Sequence, residues 1–457
     1  MFTSMQVKNF KAWKDTKIIN LAPLTVIFGG NSAGKSSLGH FLLALKQTAT
    51  STDRKRVFHL GDEKSQVDLG TFKECIHKHN LGSKLQFTLS WKPGGEIVVK
   101  NPTIARHRGI SGDEMEIQST LLADAAGQPQ VENLTYNLLS GRKNVLGVKL
   151  GKIPGKDEYD LVSLDEGKWS FIRNKGRVWA AEAPEKFYRV TERSIAKYQN
   201  AGFLADFALE TEQALSRLFY LGPLRDHPKR IYAWSGETPD GVGMKGEHSI
   251  TAILASHNRK LKVGSRNEPF HVVMANMLTK LGIITEFKVR QVAEGRREYE
   301  VLVKTHSKAA EVKLTDVGIG VSQVLPAMVS AFYCPPGSTV WMEQPEIHLH
   351  PQVQMELADV FVDAIRCHEN GRPRGTQLII ESHSEHFLNR LQTRIAEGTL
   401  SREEVAIYFC KREGDGSVLE DLQINEAGDI LNWPENFFGD EMGEHAARAR
   451  AASSRKG

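Results

Sequence analysis

The sequence predicts an α/β fold: a mixed sheet with helices on both faces, built around a phosphate-binding loop and interrupted by a β-rich and then helical insertion. Three observations carry this. An apolar strand, a glycine-rich loop and an apolar-periodic helix follow one another at the start of the chain. Strand–helix alternation returns in the last third. Between them, short runs alternate with Gly, Pro, Asp and Lys turns, a pattern of antiparallel sheet.

Taken in order, residues 5–10 and 16–21 can pair as a hairpin across 11–15, and 24–28 form a short buried strand stopped by Gly29-Gly30. Residues 36–49 place Leu38, Phe41, Leu42 and Leu45 at helical spacing. From 84 to 177, strands are expected at 85–91, 96–99, 131–138 and 168–173. Residues 181–218, 247–261 and 269–281 read as helical. The closing part gives helices at 321–331 and 353–366, and strands at 339–342, 377–380, 405–410 and 418–424. The last two are joined by a Gly414-Asp415-Gly416 turn. The tail from Glu444 reads as a short amphipathic helix with a disordered basic end. The expected divisions are 1–50 and 311–412 as two parts of one domain, 51–180 and 181–310 as the insertion, and 413–457 as a small C-terminal domain.

Composition narrows the class. The chain has 457 residues, 40% hydrophobic and 25% charged, with a net charge of +4. Its basic residues are spread out, so nucleic-acid binding is permitted by charge but not indicated. No apolar run is long enough to span a bilayer, and the opening lacks a secretory apolar region, so a cytoplasmic protein is expected. Cys75, Cys334, Cys367 and Cys410 lie far apart with no CxxC pair, which fits reduced thiols.

Gly29-Gly30-Asn31-Ser32-Ala33-Gly34-Lys35-Ser36 matches G-x-x-x-x-G-K-[ST], in the strand–loop–helix context that pattern needs. Its glycines let backbone N–H groups form an anion nest at a helix N-terminus. Lys35 is placed to reach β- and γ-phosphates and Ser36 to ligate Mg²⁺, so ATP and Mg²⁺ are the expected ligands, with Asn31, Ser32, Ala33 and Ser37 lining the loop. Gly241-Val242-Gly243-Met244-Lys245-Gly246 matches G-x-G-x-x-G but follows a polar, turn-rich stretch, so a dinucleotide site is rejected. A second acidic strand end is required, and Glu343 after 339–342 supplies it.

The segment Glu343-Gln344-Pro345-Glu346-Ile347-His348-Leu349-His350-Pro351 resembles the D-E-P-E-x-x-L-H-P segment of RecF, SMC-like and overcoming-lysogenization-defect (OLD) ATPases, which are P-loop NTPases of ABC type. Residues 314–323 resemble that group's signature, with Gly318 and Gly320 opening a helix, and Glu381-Ser382-His383-Ser384 is similar to its His switch. The resemblance implies two ATP molecules held between facing copies, Gly318 and Gly320 on the partner's nucleotide, and His383 near the γ-phosphate or attacking water. Glu343 stands where the group has its Mg²⁺-site Asp, and Gln344 where it has the catalytic Glu. An amide can orient water but cannot take its proton. Three readings stay open: hydrolysis is slow, Glu346 or His383 compensates for the missing carboxylate, or Gln344 is tolerated in an active enzyme because it orients water.

Residues 220–225, 243–247 and 432–440 resemble a narrower bacterial group with a C-terminal domain of unknown function, many of whose members serve anti-phage defence beside a separate nuclease or toxin. That implies a self-associating ATPase, dimer or higher, acting as sensor or scaffold for a separate effector. The alternatives are a DNA-repair or chromosome-maintenance ATPase, and a non-hydrolysing scaffold held by ATP. No D-x-D follows His383, which argues against a built-in nuclease of the OLD kind. Phe10, Lys11 and Trp13 are candidates for adenine stacking or for hairpin core. Arg225, Lys229 and Arg230 read as a solvated basic group that could instead reach phosphate.

Overall fold

The computed structural model describes residues 1–104, 108–176, 180–434 and 437. Three strands open the chain, β1 (Phe2–Phe10), β2 (Trp13–Asp15) and β3 (Ile19–Asn20), followed by β4 (Leu24–Gly29) and helix α1 (Lys35–Thr50). Next come β5 (Leu85–Trp91), β6 (Glu114–Ala123), β7 (Pro129–Ser140), β8 (Lys143–Lys152) and β9 (Tyr159–Ser163). Helix α2 (Phe203–Ser216) leads into β10 (Leu218–Leu221). The last third holds α3 (Ile319–Tyr333), β11 (Thr339–Glu343), α4 (Pro351–Ile365), β12 (Gln377–Glu381), α5 (Glu385–Ala396), β13 (Val405–Glu413) and β14 (Gly416–Asp421).

These strands form two main sheets. The central one has six strands in the order β10-β11-β12-β4-β13-β14; the first five are parallel and β14 is antiparallel to β13. Its middle strands are buried on both faces, as parallel sheets under crossover helices must be. The pleat divides them by parity. Ile27, Trp341, Ile379 and Tyr408 enter the core shared with α1, while Val26, Met342, Ile380 and Ile407 enter the core shared with α3, α4 and α5. Helix α1 lies so close to the first face that a Cβ on Gly39 would stand 2.6 Å from the Trp341 indole.

The second sheet is antiparallel and eight-stranded, β9-β8-β7-β6-β5-β1-β2 with β3 also on β1. The N-terminal hairpin and the β-rich segment therefore form one sheet, and the division expected at residue 50 runs through it. Likewise β10 and β14 complete the central sheet from segments assigned to the insertion and to a C-terminal domain. Phe437 packs against Phe28 and Phe409, which ties the chain's end to that sheet.

Other expectations are corrected locally. The first hairpin turns at Lys11, where φ is +45°, so β2 begins at Trp13 rather than 16. Residues 168–173 form no strand, only a bridge from Arg173 to Tyr198. In 181–218 the helices are confined to Glu192–Ile195 and Phe203–Ser216. The helix expected over 247–261 spans Ser249–Ala255 and gives way to a strand at Lys260–Val263. The tail from Glu444 and residues 438–440 of the terminal motif lie outside the described residues. Among the described residues no helix is long and apolar enough to cross a membrane.

Candidate nucleotide site

Parallel pairing brings the carboxyl ends of β10, β11, β12 and β4 to one edge, where open α/β sheets place their ligand crevices. The Gly29–Ser36 loop leaves β4 there and opens α1. Gly29 has φ +142°, and a Cβ on it would stand 2.1 Å from the Cys410 carbonyl oxygen on β13, so the loop's first position admits only glycine. Gly34, with φ +100°, caps α1 without a side-chain hydrogen bond, so the first N–H groups of that helix have no side-chain cap. Gly30, Asn31 and Ser32 are exposed, while Ala33 is buried and its carbonyl accepts from Cys410 Sγ at 3.1 Å. The Lys35 ammonium donates to the Gly29 and Gly30 carbonyls, both at 2.9 Å, and lies 3.3 Å from His383 Nε2.

Phe10 and Trp13 are both wholly buried and take no part in an adenine platform. Trp13 Nε1 donates to the Gly34 carbonyl at 3.1 Å and to Ser37 Oγ at 2.9 Å, and so braces the loop from beneath.

The acidic group is larger than the sequence suggested. Glu343 and Glu381 end β11 and β12 in register with each other, on the face toward α1. Ser36 Oγ lies 3.0 Å from Glu343 Oε2 and 2.7 Å from Glu381 Oε2. One hydroxyl proton cannot serve two carboxylates, so the second contact needs a proton from a carboxyl. Burial, and then the nearby Glu343 charge, push Glu381 up to about 8, which makes it the protonated partner. Trp341 Nε1 holds its other oxygen at 2.7 Å. Glu343 is held below the ordinary range by His40, Tyr220 and Ser36, against the opposing effect of its burial. The Tyr220 hydroxyl donates to Glu343 Oε1, and His40 Nε2 lies 3.5 Å from the same oxygen.

Gln344 takes φ +43°, uncommon for a residue with a side chain. Its N–H donates to the Glu381 carbonyl at 2.8 Å, and its own carbonyl accepts from the Ile347 N–H at 3.2 Å. Glu346 is buried; its Oε1 accepts from the Ser382 hydroxyl and the His383 N–H, both at 2.8 Å. Burial, then the Lys35 charge, bring His383 down to about 4, so its ring is neutral near pH 7. Burial also lowers Lys35, against the surrounding carboxylates.

Gly318 caps α3 and Gly320 lies in its first turn. Among the described residues no hydrogen bond or ion pair joins either to the phosphate loop. A Cβ on Gly318 would meet nothing within 4 Å. Arg225 corrects an expectation: it is buried rather than solvated, and its Nη2 donates to the Glu343 carbonyl at 3.1 Å. Lys229 and Arg230 remain exposed. His350 caps α4 through its Nδ1.

Sequence reasoning thus missed Glu381, Tyr220, His40 and the buried Arg225. Only Glu381 carried a signal, an acid ending a second apolar strand beside Ser382-His383.

Residues 263–389 match a family model described as "AAA domain, putative AbiEii toxin, Type IV TA system", and residues 400–447 one described as "Protein of unknown function (DUF3696)". A curated relative, the DNA double-strand break repair Rad50 ATPase of Halobacterium salinarum, is 24% identical over 237 residues, 47% of this chain and 26% of that protein. The match thus takes in about a quarter of the relative's length. Two solved structures are similar. One is an SMC head bound to the C-winged helix domain of ScpA, with 13% identity and TM-score 0.43, covering 93% of this chain and 99% of that one. The other is the SMC head domain from Thermotoga maritima, with 9% identity and TM-score 0.40, covering 93% and 99%. The sequence matches agree with the motif resemblance to ABC-type ATPases of the RecF, SMC and OLD-like group, with a C-terminal domain of unknown function.

Proposed function

We propose that this chain is an ATPase that closes on a second copy around two MgATP molecules and hydrolyses them slowly. The observation that carries the reading is the placement of Ser36 Oγ between Glu343 and Glu381, with Lys35 beside His383. Three segments distant in sequence meet there, each with the chemistry that phosphoryl transfer needs.

The residues fit Mg²⁺. A serine hydroxyl, the Glu343 carboxylate and the Glu381 carboxyl, which a bound cation would deprotonate, form an all-oxygen set suited to a hard cation. Ser36 would hold it directly, and Glu343 and Glu381 through water. Bound there, the ion would neutralise phosphate charge. Lys35 supplies a second positive charge, which lies over the loop carbonyls until phosphate takes their place. Asn31, Ser32, Ala33, Gly34 and Ser37 surround the phosphates with backbone and hydroxyl donors. His383 is neutral and so approaches phosphate as a hydrogen-bonding group. Gln344 can orient water but not deprotonate it, which supports slow turnover. Gly318 and Gly320 open α3 at a place where the fold itself does not demand glycine at 318, which suits approach by a partner's nucleotide.

The biological reading is a sensor or scaffold in a defence complex with a separate effector, supported by the description of the family matched over 263–389. A DNA-repair role is the second reading, favoured by the Rad50 relative. Tight, salt-dependent duplex binding would select it.

The ATPase reading is tested by MgATP titration and by sedimentation with a non-hydrolysable analogue. Wild type should bind and associate, and Lys35→Ala should lose at least about 100-fold in affinity, because the phosphates lose a fixed, charge-assisted donor. Equal affinity in both would overturn the site.

A further inference from the structure

Two buried charges of opposite sign beside this site are only half satisfied. Arg225 is 8% exposed; Nη2 is on the Glu343 carbonyl, while Nε and Nη1 are buried without a hydrogen-bond partner. Glu346 is 5% exposed; Oε1 takes two hydrogen bonds from the His383 segment, while Oε2 is buried without a partner. Among the described residues no ion pair joins them within 4.0 Å. Burial pushes the Glu346 carboxyl up and the Arg225 guanidinium down, and each group's charge partly offsets that cost for the other.

An unsatisfied buried polar group costs about 1–3 kcal/mol, and more when charged. A carboxylate buried to the same extent can be closed: Asp359 is held by Arg390 and Arg394 at 2.6–2.7 Å. Arg225 and Glu346 differ from it in having, among the described residues, no opposite charge at ion-pair distance, and in what each half holds. Arg225 pins the carbonyl just before Gln344, the residue at positive φ. Glu346 ends the turn that follows Gln344 and pins the N–H of His383.

We infer that Arg225 and Glu346 are a charge-coupled positioning pair that sets Gln344 and His383 relative to each other for the hydrolytic step. The inference rests on the ATPase reading above. Arg225 fixes the end of β11, Glu346 fixes the end of β12, and their mutual attraction sets the spacing. Neither needs to touch nucleotide.

The test is a double-mutant cycle of Arg225→Met, Glu346→Gln and both together, with Arg225→Lys as the charge-conserving control. MgATP affinity, single-turnover hydrolysis and thermal stability are measured for each. Each single variant should slow hydrolysis at least about tenfold with ATP affinity within threefold. The double variant should be no slower than the slower single, because coupled residues do not add. Arg225→Lys should recover most of the rate. Independent multiplication in the double variant overturns the coupling. Wild-type rates in the single variants overturn the positioning role. Losses of affinity and stability with the rate per bound ATP unchanged assign a structural role and also overturn it. Wild type that binds no MgATP would instead remove the reading underneath, which separates the two failures.

Discussion

At the amino-terminal end of the central sheet, Arg374 has no exposed side-chain surface, and its guanidinium reaches both Glu369 and the Cys334 carbonyl. Arg259 closes the other side of Glu369 with two hydrogen bonds of 2.9 and 3.1 Å. At the carboxyl end of the same sheet, Ser36 is shared by two carboxylates and Lys35 rests on loop carbonyls. Arg225 and Glu346 keep donors and an acceptor unused. Both ends bury charge, and both leave buried polar atoms without a partner, Arg374 Nε among them. They differ in pairing: Glu369 is shared by two guanidinium groups, whereas among the described residues Arg225 and Glu346 have no opposite charge within 4.0 Å. Breaking a buried pair from one side is costly, so the paired end is expected to answer to stability and the unpaired end to the proposed site.

The largest expected effect tests the paired end. Glu369→Leu leaves Arg259 and the buried Arg374 without their shared carboxylate. Breaking a buried pair from one side typically costs ~3–5 kcal/mol. Urea denaturation should show a loss of that size, with MgATP affinity per folded molecule unchanged. Altered affinity at unchanged stability would erase the contrast between the two ends.

A smaller effect is expected at Gln344. If the missing carboxylate limits chemistry, Gln344→Glu should raise the single-turnover rate. General-base help is worth roughly 10²–10⁴-fold in sites built for it. Here the positive φ and the amide's surroundings should hold the gain to about tenfold. ATP affinity should stay within threefold. A fall in rate would show that Gln344 is the working water-positioning residue and end the slow-ATPase reading.

Legibility in the sequence followed locality. The phosphate loop was readable because strand, loop and helix are consecutive, and the structure gives β4 and α1 almost at the expected bounds. Strand-end Glu343 was readable for the same reason. Glu381 was not assigned, because its role comes from register: only pairing beside Glu343 brings it to Ser36. Tyr220 and Arg225 stand at the ends of the 220–225 segment, legible only as a resemblance; their places at the site depend on β10 lying parallel to β11, a long-range fact. Trp13 misled because an aromatic near a phosphate loop suits either stacking or bracing, and burial decides between them. The antiparallel sheet was legible as a class but not in extent. Its strands β6 and β8 carry small polar or glycine positions, such as Gly147, Gly151 and the buried Ser119, that blur alternation.

The smallest expected effect compares the two ends by pH. His383 falls to about 4 in the folded chain, from about 6.5 when unfolded. Between those values the unfolded state carries a proton that the folded state refuses, so stability is lost as pH falls from 6.5 toward 4. Glu369 contributes little over most of this window. Its carboxyl is held below the ordinary value by Arg259 and Arg374 against the cost of burial, so its contribution is full above about pH 5.5 and begins to fade only as pH nears 4.5. Glu381 runs the other way: raised to about 8, it favours the folded state as pH falls. The wild-type slope is therefore a sum, and only a difference isolates His383. Denaturation of wild type and His383→Gln at pH 6.5 and 4.5 supplies it. Wild type should lose more, by on the order of 1 kcal/mol once the ring's partial exposure is allowed for. Glu369→Gln should change the wild-type slope by less than His383→Gln does over that interval, and not at all above about pH 5.5. If wild type and His383→Gln lose the same amount, the imidazole is not held neutral, and in solution either its burial or its 3.3 Å approach to Lys35 is less than found here.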